Sequence, residues 1–110
     1  MGLLEQVLLT EELCKKDGTM GGALMFAASG SECLHHFGEK ALKEKFLPMV
    51  TEGKIKSGAA LRESTYDYDI TTLATTAERD GENFIINGTK PYVYNAGQAG
   101  FYVVLAQTDP

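Results

Sequence analysis

Hydrophobic residues in the first half of the chain recur every three or four positions, with charged residues between them. This spacing is typical of helices that bury one face. Asp17-Gly18 and Gly38 interrupt the pattern, and Thr19 is a suitable N-cap for the second stretch. Pro48 is expected to kink or end the third stretch. The sequence therefore predicts three helices, at residues 1–16, 19–37 and 39–50.

After Gly53 the pattern changes to the alternation of apolar and polar residues that is typical of strands. Asp80-Gly81 and Asn87-Gly88 favour two-residue hairpin turns, because both central positions of such a turn favour positive φ. The strands are therefore expected to be antiparallel neighbours. Residues 101–105 form an apolar edge that predicts self-association. The predicted strands are residues 56–61, 73–79, 83–86, 89–94 and 101–107.

Helices followed by hairpins indicate an α+β fold, with a helical segment at residues 1–53 and a β-domain at residues 54–110. With 44% hydrophobic and 23% charged residues, the composition is that of a folded globular protein. The formal net charge is -5 and the charges are interspersed, which argues against nucleic-acid binding. The longest uncharged run, residues 19–31, is too short to span a bilayer. Cys14 and Cys33 are expected to be buried thiols in a reducing cytosol.

The second predicted helix has an unusually small face. Seven Gly, Ala and Ser residues contribute to it: Gly21, Gly22, Ala23, Ala27, Ala28, Ser29 and Gly30. Such a face permits close approach either by a neighbouring element or by a ligand, and the sequence leaves both interpretations open.

The order of short motifs along the chain resembles the acyl-CoA dehydrogenase family. The motifs are Phe37-Gly38-Glu39, Lys45-Phe46-Leu47-Pro48, Glu52-Gly53, Ala60-Leu61-Arg62-Glu63, and residues 75–81, 84–90 and 103–107. The resemblance implies that residues 1–53 end an N-terminal helical domain. Residues 54–110 are then part of the middle domain, an antiparallel partial β-barrel.

The resemblance also implies a chemistry. Enzymes of this family oxidise the Cα–Cβ bond of an acyl-CoA thioester with FAD. Their catalytic glutamate lies in a C-terminal domain without a counterpart here, so no catalytic residue is assigned. Glu63 belongs to a motif of the β-domain and is not expected to be the catalytic base. The chain alone is expected to be inactive. For the parent protein the resemblance implies electron-transfer flavoprotein as a partner, a homo-oligomer, and a cytoplasmic location, or the mitochondrial matrix in a eukaryote.

Two blocks carry the site residues that the resemblance implies. In the first, Arg62, Asp67 and Tyr68 replace the Thr, Gly and Ser of the family pattern; in the second, Tyr92 and Tyr94 replace Trp and Thr. Arg62 either donates to the electron-rich end of a flavin or forms a surface ion pair. The residues expected to contact FAD are Ala60, Leu61, Arg62, Glu63, Tyr92, Val93 and Tyr94, and Tyr68 is expected to contact the acyl-CoA substrate.

These substitutions also support a second hypothesis. A descendant of the same fold that has lost flavin would keep the hairpin framework while changing the residues around the cofactor. Such a protein would serve as a binding or assembly module. Retention of FAD distinguishes the two hypotheses.

Overall fold

The computed structural model describes residues 2–63, 69 and 71–108, and within them helices precede strands, as the sequence predicts. The helices are α1 (Leu3–Lys16), α2 (Gly18–Ala27), α3 (Ser29–Phe37) and α4 (Lys40–Thr51). The strands are β1 (Lys56–Ala60), β2 (Thr76–Asp80), β3 (Asn83–Asn87) and β4 (Ala99–Val104). No helix among these residues is long and apolar enough to cross a membrane.

The N-cap of α2 is Asp17 instead of the predicted Thr19. Its carboxylate accepts hydrogen bonds from the backbone N–H groups of Thr19, at 2.8 Å, and Met20, at 3.1 Å. A carboxylate at this position satisfies donors that the first turn leaves unpaired. The helix therefore begins directly after Asp17, and the predicted N-cap was wrong by two positions.

The single helix predicted over residues 19–37 is interrupted at Ala28. A continuous helix would pair the N–H of Ser31 with the carbonyl of Ala27. Instead, the buried hydroxyl of Ser57 accepts from Ser31 N–H at 3.1 Å and donates to the Ala27 carbonyl at 2.9 Å. A side chain inserted into the helical ladder in this way breaks it.

Helix α4 continues through Pro48 to Thr51, so Pro48 does not end it, and the helix predicted over residues 39–50 is present with its ends shifted by one residue. A proline removes only its own N–H from the ladder. The Pro48 carbonyl still accepts from Glu52 N–H at 3.0 Å. The exit occurs at Gly53, whose φ of 70° suits glycine, as the sequence predicted.

Strands β2 and β3 form the antiparallel hairpin that the sequence predicts. Asp80 pairs with Asn83, so the two loop residues are Gly81 and Glu82, one position later than expected. Gly81 has a φ of 61° and is the loop position that requires glycine.

Strands β1 and β4, in contrast, pair in parallel, from Ser57 opposite Phe101 to Ala60 opposite Val104. The prediction that all strands are antiparallel was wrong here, because no hairpin joins these two and the chain crosses over between them. The strand predicted at residues 89–94 is reduced to a single bridge between Tyr94 and Ala59. Within the described residues the two sheets have two strands each and do not close into a barrel.

The core lies where α3 packs against β1. Leu34, Ala59 and Ala60 are buried at this contact, and Ala77 of β2 is buried as well. Gly30 of α3 lies directly against the backbone of Gly58 in β1, so part of the small-residue face serves tight packing. Cys14 is exposed, contrary to expectation, and Cys33 is half-buried; both are free thiols.

Candidate functional site

A groove of about 490 Å³ lies between the segment that follows β1 and the segment that precedes β4. We call it the loop groove, and its lining residues are Ser29, Ala59, Leu61, Arg62, Pro91, Tyr92, Val93 and Tyr94. It brings together most of the residues that the resemblance had pointed to. Ala60 and Glu63 do not line it, and Tyr68 lies outside the described residues.

The lining of the loop groove combines apolar side chains with one cation, Arg62, and two exposed tyrosines, Tyr92 and Tyr94. Tyr92 is 67% exposed, so its ring is available for contact with a ligand. Arg62 forms none of the ion pairs found among the described residues, and residues 64–68, which include Asp67, lie outside them. A planar, electron-rich group is the kind of ligand that a guanidinium and an aromatic ring recognise together.

Next in sequence to two lining residues, Arg62 and Pro91, the residues Glu63 and Lys90 form an ion pair with an Nζ–Oε1 distance of 3.0 Å. Their side chains are only 6% and 16% exposed. Lys90 Nζ also donates to the carbonyl of Leu61 at 3.2 Å. The Glu63 carboxylate accepts from the backbone N–H groups of Ala74, at 2.8 Å, and Thr75, at 2.7 Å. We call this set of contacts the Lys90 clamp; it joins three separate segments, one of which carries Leu61 of the groove lining.

The environment of Glu63 favours its charged form. The nearby Thr75 hydroxyl, the backbone N–H groups of Ala74 and Thr75, and more weakly Lys90, lower the pKa of Glu63 to about 2. The Thr75 hydroxyl has no hydrogen-bond partner in the described part of the chain, whereas the two N–H groups and Lys90 donate directly to the Glu63 carboxylate. Glu63 is therefore an ionised structural anchor near neutral pH and is poorly suited to act as a proton acceptor.

A pH dependence of stability follows from this pKa. Because the pKa of Glu63 falls from 4.5 to about 2 on folding, its stabilising effect is complete above pH 4.5 and is lost as the pH falls toward 2. We expect the stability difference between the unmodified chain and Glu63→Gln to shrink over that interval. Thermal unfolding of both proteins, followed by circular dichroism from pH 6 to pH 2, measures it. A difference that stays constant with pH would contradict the assignment.

Asp69 occupies a different setting from Glu63, although both match the first family block. Its carboxylate accepts from the N–H of Thr71 at 2.8 Å and from the Thr71 hydroxyl at 2.7 Å. These two bonds lower the pKa of Asp69. Asp69 therefore stabilises a local turn.

At the other side of the loop groove, Tyr94 stacks on Phe26 of α2. The ring centroids are 4.5 Å apart and the planes differ by 4°. The next residue, Asn95, has a φ of 57° and donates from Nδ2 to the carbonyl of Ser57 at 2.8 Å. Asparagine tolerates this left-handed conformation better than most residues. The turn that carries Tyr94 is thus anchored to β1.

A second groove, of about 460 Å³, lies on the far side of this aromatic stack. We call it the helix groove, and it is lined by Gly18, Thr19, Gly22, Ala23, Phe26, Ala27, Tyr94 and Asn95. Gly30 of the small-residue face packs tightly against β1, whereas Gly22 faces open space; the ligand interpretation stays a prediction.

Two contributors to this region were not singled out from the sequence. Lys90 belongs to the motif at residues 84–90, and nothing in that motif indicates that its partner is Glu63. Phe26 gave no signal, because one aromatic residue within an apolar helical stretch is indistinguishable from a core residue until its neighbour is known.

Residues 1–54 match the family model described as acyl-CoA dehydrogenase, N-terminal domain. The similarity continues beyond them: isovaleryl-CoA dehydrogenase of Pongo abelii is 32% identical over 99% of this chain. The chain is related to the acyl-CoA dehydrogenase family. The short-chain specific acyl-CoA dehydrogenase of Megasphaera elsdenii is 35% identical over 97% of the chain.

The fold agrees with this relationship to acyl-CoA dehydrogenases. A crystal structure of an FAD-dependent dehydrogenase superposes with a TM-score of 0.69 at 35% identity, over 79% of this chain and 25% of that chain. The chain spans about a quarter of the length of the curated relatives it matches, at 26% for the isovaleryl-CoA enzyme and 28% for the short-chain enzyme.

Proposed function

We propose that this chain is part of a flavin-dependent acyl-CoA dehydrogenase and contributes FAD- and acyl-CoA-binding surface to it. The observation that supports this proposal best is the convergence of Leu61, Arg62 and Tyr92 on one groove, with Val93 and Tyr94 completing its wall. These residues come from two distant sequence blocks. The relatives include FAD-dependent and acyl-CoA-specific dehydrogenases.

The loop groove has a lining suited to a flavin. Its volume, about 490 Å³, lies within the usual range for small-molecule sites. The Arg62 donors would face the electron-rich edge of the ring system, and Tyr92 would cover a ring face. Leu61 and Val93 would exclude water from the contact. When bound, FAD would supply the acceptor for the hydride that leaves the β-carbon of the acyl thioester.

Removal of the α-proton requires a base that we do not assign to this chain. Glu63 is held by the Lys90 clamp, and its pKa of about 2 keeps the carboxylate ionised near neutral pH. We therefore propose a structural role for it. We therefore propose that the chain alone is inactive. For the whole protein we propose electron-transfer flavoprotein as electron acceptor, a homo-oligomeric assembly, and a cytoplasmic or mitochondrial-matrix location.

One observation favours the alternative, a module that has lost flavin. Tyr94 already has one ring face covered by Phe26, so that face is not available to a cofactor. An assembly module would not use that face of Tyr94 to bind a cofactor, so the stacking is compatible with it. Flavin binding is therefore the property to test first.

Arg62→Ala is expected to weaken FAD binding by about tenfold or more, because a hydrogen bond to a charged or electron-rich acceptor is lost. Flavin fluorescence during titration of the chain with FAD measures the affinity. Arg79→Ala is the matched control, since Arg79 lies on β2 and does not line the loop groove. If the unmodified chain binds no FAD, or if Arg62→Ala and Arg79→Ala bind FAD with the same affinity, the proposed role of the loop groove is wrong. Either result would favour the module hypothesis.

A further inference from the structure

The loop groove is built from three segments that are far apart in the sequence. Ser29 comes from the interruption between α2 and α3, Leu61 and Arg62 follow β1, and residues 91–94 precede β4. A ligand that contacts all three segments depends on how they are placed relative to one another. A residue bonded to more than one of them therefore controls the shape of the groove.

Ser57 of β1 joins the first of these segments to the sheet. Its hydroxyl donates to the carbonyl of Ala27 at 2.9 Å and accepts from the N–H of Ser31 at 3.1 Å. Ser29 lies midway between these two residues in the sequence, so both bonds fix its place in the groove lining. Without the hydroxyl, the Ala27 carbonyl and the Ser31 N–H are the two groups that a regular helix would pair.

The same residue also joins the third segment to the sheet. The Ser57 carbonyl accepts from Nδ2 of Asn95 at 2.8 Å, and Asn95 directly follows Tyr94. Tyr94 lines the loop groove, and its ring stacks on Phe26, which directly precedes Ala27. Ser57 thus holds both partners of the stack through the residues next to them.

We propose that Ser57 is a positioning residue for flavin binding in the loop groove. The inference rests on the proposed function, because it takes FAD as the ligand of that groove. Ser57 is 1% exposed and does not line the groove, so it acts on a ligand only through the segments that it holds. Its hydroxyl keeps α2 and α3 apart, and its carbonyl holds the turn that carries Tyr94. Loss of the hydroxyl lets the two helices join, which displaces Ser29 and Phe26 together.

Ser57→Ala tests the first connection, since it removes the hydroxyl and keeps the carbonyl. FAD affinity, measured by flavin fluorescence titration, is expected to fall about tenfold, because the groove loses a contact that preorganises it. Ser57→Thr restores a hydroxyl and should bring the affinity back to within about threefold of the original value. Ser31→Ala is the matched control: it removes a hydroxyl that donates to the Ala28 carbonyl at the same interruption, while both Ser57 bonds remain. Its FAD affinity should stay within about twofold of the original value.

Asn95→Gly tests the second connection. Glycine accepts the φ of 57° at this position, and the bridge between Tyr94 and Ala59 keeps the turn beside β1. The variant therefore loses the amide bond to Ser57 without a change in backbone conformation. We expect its FAD affinity to fall about fivefold. If either Ser57 variant does not fold, Asn95→Gly decides.

The visible circular dichroism of bound FAD separates positioning from a general loss of stability. At saturating FAD, we expect this spectrum to change in Ser57→Ala and to return to its original form in Ser57→Thr. A lower Tm with unchanged affinity and an unchanged spectrum would show that Ser57 only stabilises the fold, and would overturn the proposal. If the unmodified chain binds FAD and both Ser57→Ala and Asn95→Gly bind it equally well, the positioning role is wrong while the proposed function stands. If the unmodified chain binds no FAD, both are wrong.

Discussion

Gly30→Ala is expected to lower the free energy of unfolding by about 1–3 kcal/mol, the usual cost of adding volume to a tightly packed site. A Cβ at this position would contact the Gly58 carbonyl oxygen and lie 2.9 Å from its carbon and 3.0 Å from its nitrogen. These are backbone atoms of β1, which cannot move without disturbing its pairing with β4. Urea unfolding followed by circular dichroism measures the change.

Gly22→Ala is the matched control and should act in the opposite direction. No atom lies within 4 Å of the Cβ that this substitution adds. Alanine in a helix interior is favoured over glycine by about 0.5–1 kcal/mol. We therefore expect the free energy of unfolding to rise. Equal effects of the two substitutions would contradict the close packing of α3 on β1.

Lys90→Met should produce the second large effect, a fall in Tm several times greater than an exposed lysine substitution causes. Methionine keeps much of the side-chain volume but removes the cation from the Glu63 carboxylate and one donor from the Leu61 carbonyl. Removing one partner of a largely buried pair costs more than removing both. Thermal unfolding at pH 7 measures the effect.

The matched control is Lys40→Met, which removes a lysine paired with Glu44 at 3.7 Å in an exposed setting. Such surface pairs contribute about 0.3–0.5 kcal/mol on a helix. The double variant Lys90→Met with Glu63→Gln should recover part of the lost stability, which a double-mutant cycle quantifies. Similar Tm values for Lys90→Met and Lys40→Met would refute the clamp.

Local features of the fold were readable from the sequence. Periodicity located the helical half of the chain, and a glycine-containing turn located the β2–β3 hairpin, because both signals depend on neighbouring residues. The interruption at Ala28 depends on Ser57, a residue far along the chain. The parallel pairing of β1 with β4 likewise depends on a distant segment, and no local pattern indicates it.

In the candidate site, too, some features were predictable from the sequence and others depend on distant segments. The order of family motifs identified Arg62, Tyr92 and Tyr94, and these residues do line one groove. Their mutual orientation was not predictable, because it depends on contacts that Lys90 and Phe26 make with other segments. The flavin and substrate roles of the predicted residues stay predictions.

Parallel pairing also determines when β1 can be completed during protein synthesis. The four helices and β1 are synthesised before Ala99–Val104. Until then, backbone groups of β1 lack the strand that satisfies them, and a nascent chain in that condition is exposed to mispairing. Closing the long connection to β4 is a late and entropically unfavourable step. The nascent chain therefore reaches its vulnerable stage after its helices have formed.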